Sequence, residues 1–393
     1  MTAVRPRAEV VIDLAAIRHN VAILAGCAEE SGAVTMAVVK ADGYGHGAVD
    51  VAVAALQAGA GALGVCSVDE ALELRRSGID APVLAWLHAP GEDLGAGIAA
   101  GIELGIYSLN QLDAAAAAAA RTGRTARVHL KVDTGLTRGG AYRSQWPGLV
   151  RAAAATGGVK VVAVWSHLAH ADDPGHPIIE QQVRYFEQAY QVARDAGLRP
   201  LRHLANSAAT LTRPDLHYDM VRPGIAVYGL SPVPEADYHL VPAMTLRSQV
   251  AMVKRVLAGE GVSYGHVWHT DRETTLALVP AGYADGVPRV LTGRLDVWLA
   301  GRRRPVVGRV CMDQVMVDCG DDPVAEGDEV VFFGAGDGAG GHGVPTAAEW
   351  AGKLGTIHYE VVAGMVRPRL TRTVLGRRSV ALSPALDLSR VVR

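Results

Sequence analysis

Lysine is scarce in this 393-residue chain: of 38 basic residues only Lys40, Lys131, Lys160, Lys254 and Lys353 are lysines. The rest of the positive charge is arginine, which cannot lose its proton, so a lysine here marks a candidate site for amine chemistry. Cysteine is scarce as well. Cys27, Cys66, Cys311 and Cys319 form no CxxC pair, and a reduced, cytoplasmic setting without structural disulfides is expected. Neither sign of charge is in excess: the formal net charge is −2, which gives no footprint for nucleic acid or an anionic membrane surface. No apolar run reaches the ~20 residues of a membrane helix. The opening MTAVRPRAEVVIDL lacks the apolar stretch and small-residue cleavage pattern of a signal peptide.

What is present is apolar sequence, 49% of the residues, enough for more than one ordinary core. Short apolar runs (TMAVVK, GALGVC, PVLAWL, IELGIY, ARVHLKV, VKVVAVWSH, LRHLANS and DMVRPGIAVYG) read as strands, and helical patterns lie between most of them. Alternating strands and helices imply a parallel sheet. Eight of them suggest a TIM-type (β/α)8 barrel, whose strands are covered on both faces and so read as continuous apolar runs. The alanines from Ala114 to Ala120 read as helix. Near residue 240 the helical patterns nearly vanish and strand-like alternation with Gly and Asp turns takes over. The expected organisation is an α/β barrel over 14–240 and a mostly β domain over 241–393, with 1–13 joining its sheet. SPVPEADYHLVPAM is the expected connector.

Barrel chemistry collects at the C-terminal ends of the strands. Lys40, Lys131, His167, Asn206, Ser207, Arg222 and Gly224 fall there, with Arg138 seven residues beyond Lys131. A lysine in an apolar collar has a depressed pKa, and a neutral amine forms a Schiff base with an aldehyde. Asn206, Ser207 and the amides near Gly224 offer a phosphate site. Aldehyde plus phosphate points to pyridoxal 5'-phosphate (PLP), an electron sink for carbanions beside an amine. The residues alone leave a second reading open, in which Lys40 snorkels to solvent from a strand end.

AVVKADGYGHG resembles the PLP-lysine motif of the alanine racemases. HLKVDTGLTRGG, WSHLAHAD, HLANSAA, VRPGIAVYG, GVSYGH, PAGYADG, GRVCMDQVMVD and IHYEVV resemble further segments of that family, in family order and over essentially the whole chain. The resemblance implies a PLP-bearing barrel, a β domain, and a homodimer whose two active sites are shared between subunits. It makes Lys40 the PLP lysine, and Tyr44, Ser207, Gly224, Ile225 and Tyr359 the phosphate-binding residues. Arg222 would face the pyridine nitrogen, and His167 would stand beside the ring and orient that arginine. Arg138 would lie near the phenolic oxygen, steadied by Lys131, a position often carbamylated in the family. From the β domain, Tyr264 would be the second catalytic base, Met312 would offer its backbone N–H to the substrate carboxylate, and Tyr283 would gate the entrance. Thr137 and Gly139 depart from the family pattern beside Arg138, where a glycine and a larger or polar residue are expected. Cys311 before Met312 replaces a small or varied residue.

Inverting an α-carbon needs proton removal on one face and return on the other, so two bases are expected. A phenol, ordinarily near a pKa of about 10, needs cationic neighbours for that task. An arginine opposite the pyridine nitrogen leaves the nitrogen largely unprotonated, which should limit side reactions. Three other readings stand beside this one, the last of them a short lone barrel. They are a racemase of another small amino acid such as serine, a decarboxylase, and a non-catalytic PLP-binding protein. Arg222 argues against the decarboxylase, and the β domain with Tyr264 argues against the non-catalytic protein. A relative that sequesters a substrate-analogue drug stays open.

Other features read as structure. His167, His170, Asp172, Asp173 and His176 could be taken for a metal site, but a polar βα loop explains all of them except His167. Cys311 and Cys319 are expected on one strand face, as packing. FFGAGDGAGGHG lacks the GxxxxGK of a nucleotide loop and reads as a turn.

Overall fold

The computed structural model describes residues 6–233, 236–335 and 343–377. They form two compact units, one drawn from 17–240 and the other from 6–16 with 241–377.

The first unit is a closed barrel of eight parallel strands: Val34–Val38, Ala62–Val65, Val83–Ala85, Glu103–Ile106, Ala126–Lys131, Val159–Trp165, Leu201–Asn206 and Met220–Arg222. Pairing of the last with the first closes the ring. The strands are buried almost throughout, as strands with helices outside and side chains inside must be. Inside, Met36, Ala62, Leu84 and Met220 form one cluster with Val34 and Trp86 against it. Gly64 and Gly105 make room for the Trp86 indole: a Cβ on Gly64 would lie 2.5 Å from the ring, and one on Gly105 2.9 Å from the Trp86 Cα.

Helices occupy the expected segments, including Leu109–Thr122 over the alanine run. Leu94–Ala99 and Trp146–Ala155 are helices as well. LGAGIA is too short to show a helical period, whereas WPGLVRAAAA buries Trp146, Leu149, Val150 and Ala153 at helical spacing. Three strands end earlier than their apolar runs suggest, the third at Ala85 inside PVLAWL. The first stops at Val38, and Lys40 opens a turn beyond it. The eighth stops at Arg222, before Pro223, and Ile225–Tyr228 is a 3-10 turn.

The second unit holds a nine-stranded sheet in the order Met252–Val256, Thr274–Val279, Val315–Gly320, Arg302–Val307, Asp296–Leu299, Glu329–Phe333, Met244–Gln249, Ala8–Asp13, Thr371–Leu375. The N-terminal strand pairs antiparallel with Met244–Gln249 and parallel with Thr371–Leu375. TLRSQVAMVKRVLA is two strands, because Val250 and Ala251 break it. Ala347–Leu354 and His358–Ala363 are helices, the first capped by Thr346. One local expectation, the placement of Cys311, needs correction. Cys311 lies before the strand that begins at Val315, so it shares no strand face with Cys319. The glycine-rich 332–343 segment falls mostly outside the described residues.

Candidate active site

At the barrel mouth, Lys40 begins a turn of backbone that L-residues rarely adopt. Ala41, Asp42, Gly43 and Tyr44 have φ of 53, 51, 61 and 51°, and each non-glycine residue there costs about 1–2 kcal/mol. Carboxylates hold the turn: Glu70 accepts from the Ala41 N–H at 2.7 Å, and Asp42 from the Ala48 N–H at 2.9 Å. The Lys40 Nζ lies 6.0 Å from the Tyr44 ring centroid and 5.9 Å from that of Trp86. Burial lowers its pKa, with the Arg138 charge adding to the effect and Glu70 opposing it.

Arg222 closes the eighth strand with its guanidinium buried. Its Nη2 donates to the Ser166 carbonyl at 2.7 Å, and its Nη1 meets His203 Nδ1 at 3.0 Å. The contact to His167 Nδ1 is 3.4 Å, so Ser166 and His203 do more of the orienting than the expected His167. Beyond His203 a polar column crosses the apolar barrel. His203 Nε2 meets His129 Nδ1 at 2.9 Å, His129 Nε2 meets Glu103 Oε2 at 2.7 Å, and Arg127 donates to Glu103 Oε1 at 2.7 Å. Arginine can only donate, which sets the tautomers. His203 accepts on Nδ1 and donates from Nε2; His129 accepts on Nδ1 and donates from Nε2 to the carboxylate. Burial and the Arg222 charge hold His203 well below the usual histidine range. Burial alone would raise the Glu103 carboxyl, but the His129 hydrogen bond and Arg127 outweigh it and keep the group ionised. Burial also pushes Arg222 down to about 9, still charged at neutral pH. Trp165 packs this assembly: its ring stacks on His203, with centroids 5.4 Å apart, and the Arg222 Cζ lies 5.0 Å from its centroid.

The Lys131 Nζ lies 4.5 Å from the same indole's centroid. Burial and the nearby Arg222 and Arg138 charges push it down to about 8. The unfolded chain then holds a proton between pH 8 and 10.5 that the folded chain has released. Stability should therefore rise with pH across that window, and the protonated form costs the fold about 3 kcal/mol below it. In carbon dioxide-free buffer, urea unfolding should show a steeper rise across this window in the wild type than in Lys131→Met; equal slopes would refute it. Arg138 itself is exposed, on a loop held by Asp133, which accepts from the Gly135 and Thr137 N–H groups at 2.9 and 3.1 Å. Thr137, standing where a glycine was expected, has φ 53°, a strained setting for a β-branched residue. Gly139 sits over the Lys131 amine, where a Cβ would lie 3.6 Å from Nζ.

On the other side of the mouth, Ser207 Oγ accepts from the Gly224 N–H at 2.7 Å and the Ala226 N–H at 3.3 Å. The Tyr44 hydroxyl reaches the same place: a Cβ on Gly224 would lie 2.5 Å from it. Only glycine allows that approach. Ile225 is buried directly behind. Asn206 caps the following helix, its side chain accepting from the Ala209 N–H at 3.2 Å. His167 is held neutral by burial and by the charges of Arg222, Lys131, Arg138 and Lys40.

Tyr264, Tyr283, Met312 and Tyr359 belong to the β unit. Tyr264 opens a 3-10 turn beside an open cavity of about 530 Å3 that Lys254, Glu260, His266 and Cys311 also line. It is 72% exposed, and the Arg309 guanidinium packs on the adjoining Gly265. Tyr283 and Met312 are neighbours through backbone: the Tyr283 N–H donates to the Cys311 carbonyl and the Ala284 N–H to the Met312 carbonyl, each at 3.0 Å. Gly282 permits this, since a Cβ there would lie 2.3 Å from the Cys311 oxygen. Buried Asp285 fixes the turn by accepting from the Gly282 N–H at 3.0 Å and pairing with Arg7. Tyr359 lies in the His358–Ala363 helix.

Comparison with known families gives two matches. Residues 12–232 match the alanine racemase N-terminal domain and residues 243–374 the alanine racemase C-terminal domain. The chain belongs to the alanine racemase family. An alanine racemase from Salinispora arenicola is 56% identical over 377 residues, 95% of this chain and 99% of the relative. One from Mycobacterium tuberculosis is 55% identical over 374 residues, 93% of this chain and 95% of the relative. The alanine racemase structure from D-cycloserine-producing Streptomyces lavendulae is 47% identical. It superimposes with a TM-score of 0.91 over 95% of this chain and 98% of its own. These relatives place the chain among the isomerases.

In this alanine racemase chain the motifs single out Arg222 and His167 but not Trp165, His203, His129 and Glu103, which pack and bond around Arg222. The available signal was polar residues inside otherwise apolar strands: Glu103 in ELGI, His129 in ARVHLK and His203 in LRHLAN. Among the polar loop histidines, His170 and His176 stack with centroids 4.1 Å apart. Among the described residues, no group of three His, Cys, Asp or Glu side chains is placed to hold a metal ion. Nor is any described helix long and apolar enough to cross a membrane.

Proposed function

We propose that this chain interconverts L- and D-alanine with pyridoxal 5'-phosphate, using Lys40 and Tyr264 as bases on opposite faces of the substrate. The observation that carries the reading is a desolvated lysine amine at a barrel mouth whose far side presents Ser207, Gly224 and the Tyr44 hydroxyl. These residues fit the cofactor: an amine of lowered pKa suits its aldehyde, and the glycine-shaped recess with hydroxyls around it suits its phosphate. When bound, the cofactor supplies an electron sink for the carbanion at the α-carbon.

The chain's own groups do the rest. Lys40 Nζ takes or returns the α-proton on one face and the Tyr264 hydroxyl does so on the other. Arg222 would face the ring nitrogen as a donor that keeps its proton. The nearest carboxylate of its column, Glu103, is two histidines away, so the nitrogen has no acid beside it. That limits charge delocalisation and favours simple return of the proton. His167 would stand beside the ring, uncharged. Asn206, Ile225 and Tyr359 would complete the phosphate site. The lowered pKa of Lys131 gives a neutral amine fraction able to add carbon dioxide, and the resulting carbamate would face the Arg138 guanidinium as an acceptor near the phenolic oxygen. Met312 would offer its backbone N–H to the substrate carboxylate, with Tyr283 at the entrance.

The exposure of Tyr264 supports a homodimer in which each site takes this residue from the second copy. Supply of D-alanine for peptidoglycan, in the cytoplasm, is the role we assign. The test is a racemisation assay with added PLP across a panel of amino acids. Alanine should be interconverted fastest. Faster turnover of serine would transfer the assignment to that substrate, and no turnover of any amino acid would overturn it.

A further inference from the structure

Glu70 is the third residue of the Val68–Arg76 helix, and its immediate surroundings look like ordinary helix capping. The Ser67 side chain accepts from the Glu70 N–H at 3.2 Å, and Glu70 Oε2 reaches back to the Ser67 N–H at 3.4 Å. Its stronger bonds go elsewhere. Oε2 accepts from the Cys66 N–H at 2.6 Å, at the mouth end of the second barrel strand, and Oε1 from the Ala41 N–H at 2.7 Å. Ala41 directly follows Lys40 and is the first left-handed residue of the turn. One carboxylate thus ties the rim of the neighbouring strand to the backbone that aims Lys40. The turn's own bonds, Gly43 N–H to Val39 O at 2.9 Å and Gly45 N–H to Ala41 O at 3.0 Å, leave the Ala41 N–H to Glu70. A backbone conformation this unfavourable persists only where surrounding groups over-determine it, and charge-assisted hydrogen bonds are the strong kind.

We infer that Glu70 is a positioning residue for Lys40: it clamps the left-handed turn to the second barrel strand and so presents the lysine amine to the cofactor aldehyde. This rests on the reading that Lys40 holds PLP. Glu70 acts on Lys40 through the Ala41 backbone, and its charge also opposes the fall of the Lys40 pKa.

Capping and clamping separate in two variants. Ser67→Ala removes the cap and leaves both cross-links. Glu70→Ala removes all of them. Glu70→Gln retains one carbonyl oxygen, which can serve the Ala41 side or the Cys66 side but not both. The readouts are the rate at which PLP added to cofactor-stripped protein develops the visible band of the lysine-bound form, borohydride trapping of that form, and hydrogen exchange at the Ala41 amide. Glu70→Ala should slow reconstitution about tenfold or more, since small misplacements of reacting groups carry large rate penalties, and should speed exchange at Ala41. Ser67→Ala should match the wild type in both, although it lowers thermal stability. Glu70→Gln should fall between. Reconstitution of Glu70→Ala at the wild-type rate, or equal slowing in Ser67→Ala and Glu70→Ala, would overturn the clamp. If Glu70→Ala fails to fold, Glu70→Gln against Ser67→Ala makes the same comparison. Failure of the underlying reading looks different: Lys40→Ala would then keep the band.

Discussion

Lys40→Ala should erase the visible band of lysine-bound PLP and lower alanine racemisation by more than about 10³-fold. It removes the covalent anchor and one of the two proton-transfer groups together. Charge alone does not account for the position. Among 38 basic residues only five are lysines, yet this one stands where burial makes its proton easy to lose. Lys40→Arg tests that point, because it keeps a positive charge on a long side chain but cannot present a neutral amine. It should be as inactive as the alanine variant. A band that survives in Lys40→Ala would sink the cofactor assignment. Activity in Lys40→Arg would mean that the site needs only a cation there.

Tyr264→Phe should lower racemisation about 10²–10⁴-fold, the usual contribution of a positioned acid–base group. The loss in kcat/KM must be equal in the two directions, because L- and D-alanine have the same free energy in water. The asymmetry belongs instead to exchange of the α-hydrogen with deuterated solvent. The enantiomer whose hydrogen faces Lys40 should still exchange, with retention of configuration, while exchange of the other collapses. Comparable exchange from both enantiomers would defeat the two-base scheme. The same variant tests sharing of sites. Mixing Lys40→Ala with Tyr264→Phe subunits gives heterodimers with one intact site if each site draws on both copies. An equal mixture should recover about a quarter of wild-type activity. No recovery, with subunit exchange confirmed, would place both bases in one chain.

These expectations draw unequally on sequence and structure. The barrel was legible because period and composition are local: eight apolar runs with helical patterns between them admit few arrangements. The change to a β unit near residue 240 was legible on the same ground. Strand ends were less so. An apolar run continues through Val39 and, past Pro223, through Gly224 to Tyr228, but the regular strands stop at Val38 and Arg222; Pro223 announces the second stop, and no single residue announces the first. Lys40 stood out by rarity, and motif resemblance supplied its suggested neighbours.

Tertiary structure decided what composition cannot encode. The column Arg222–His203–His129–Glu103–Arg127 joins residues from four strands, and its tautomers follow from geometry alone. Glu70 bonds a backbone N–H 29 positions earlier in the chain, although its sequence context, SVDE, announces only a helix cap. Apolar periodicity is written residue by residue because burial acts on each side chain separately. A buried hydrogen bond is satisfied by any donor that the fold brings within reach, so its partner appears only when the chain has closed.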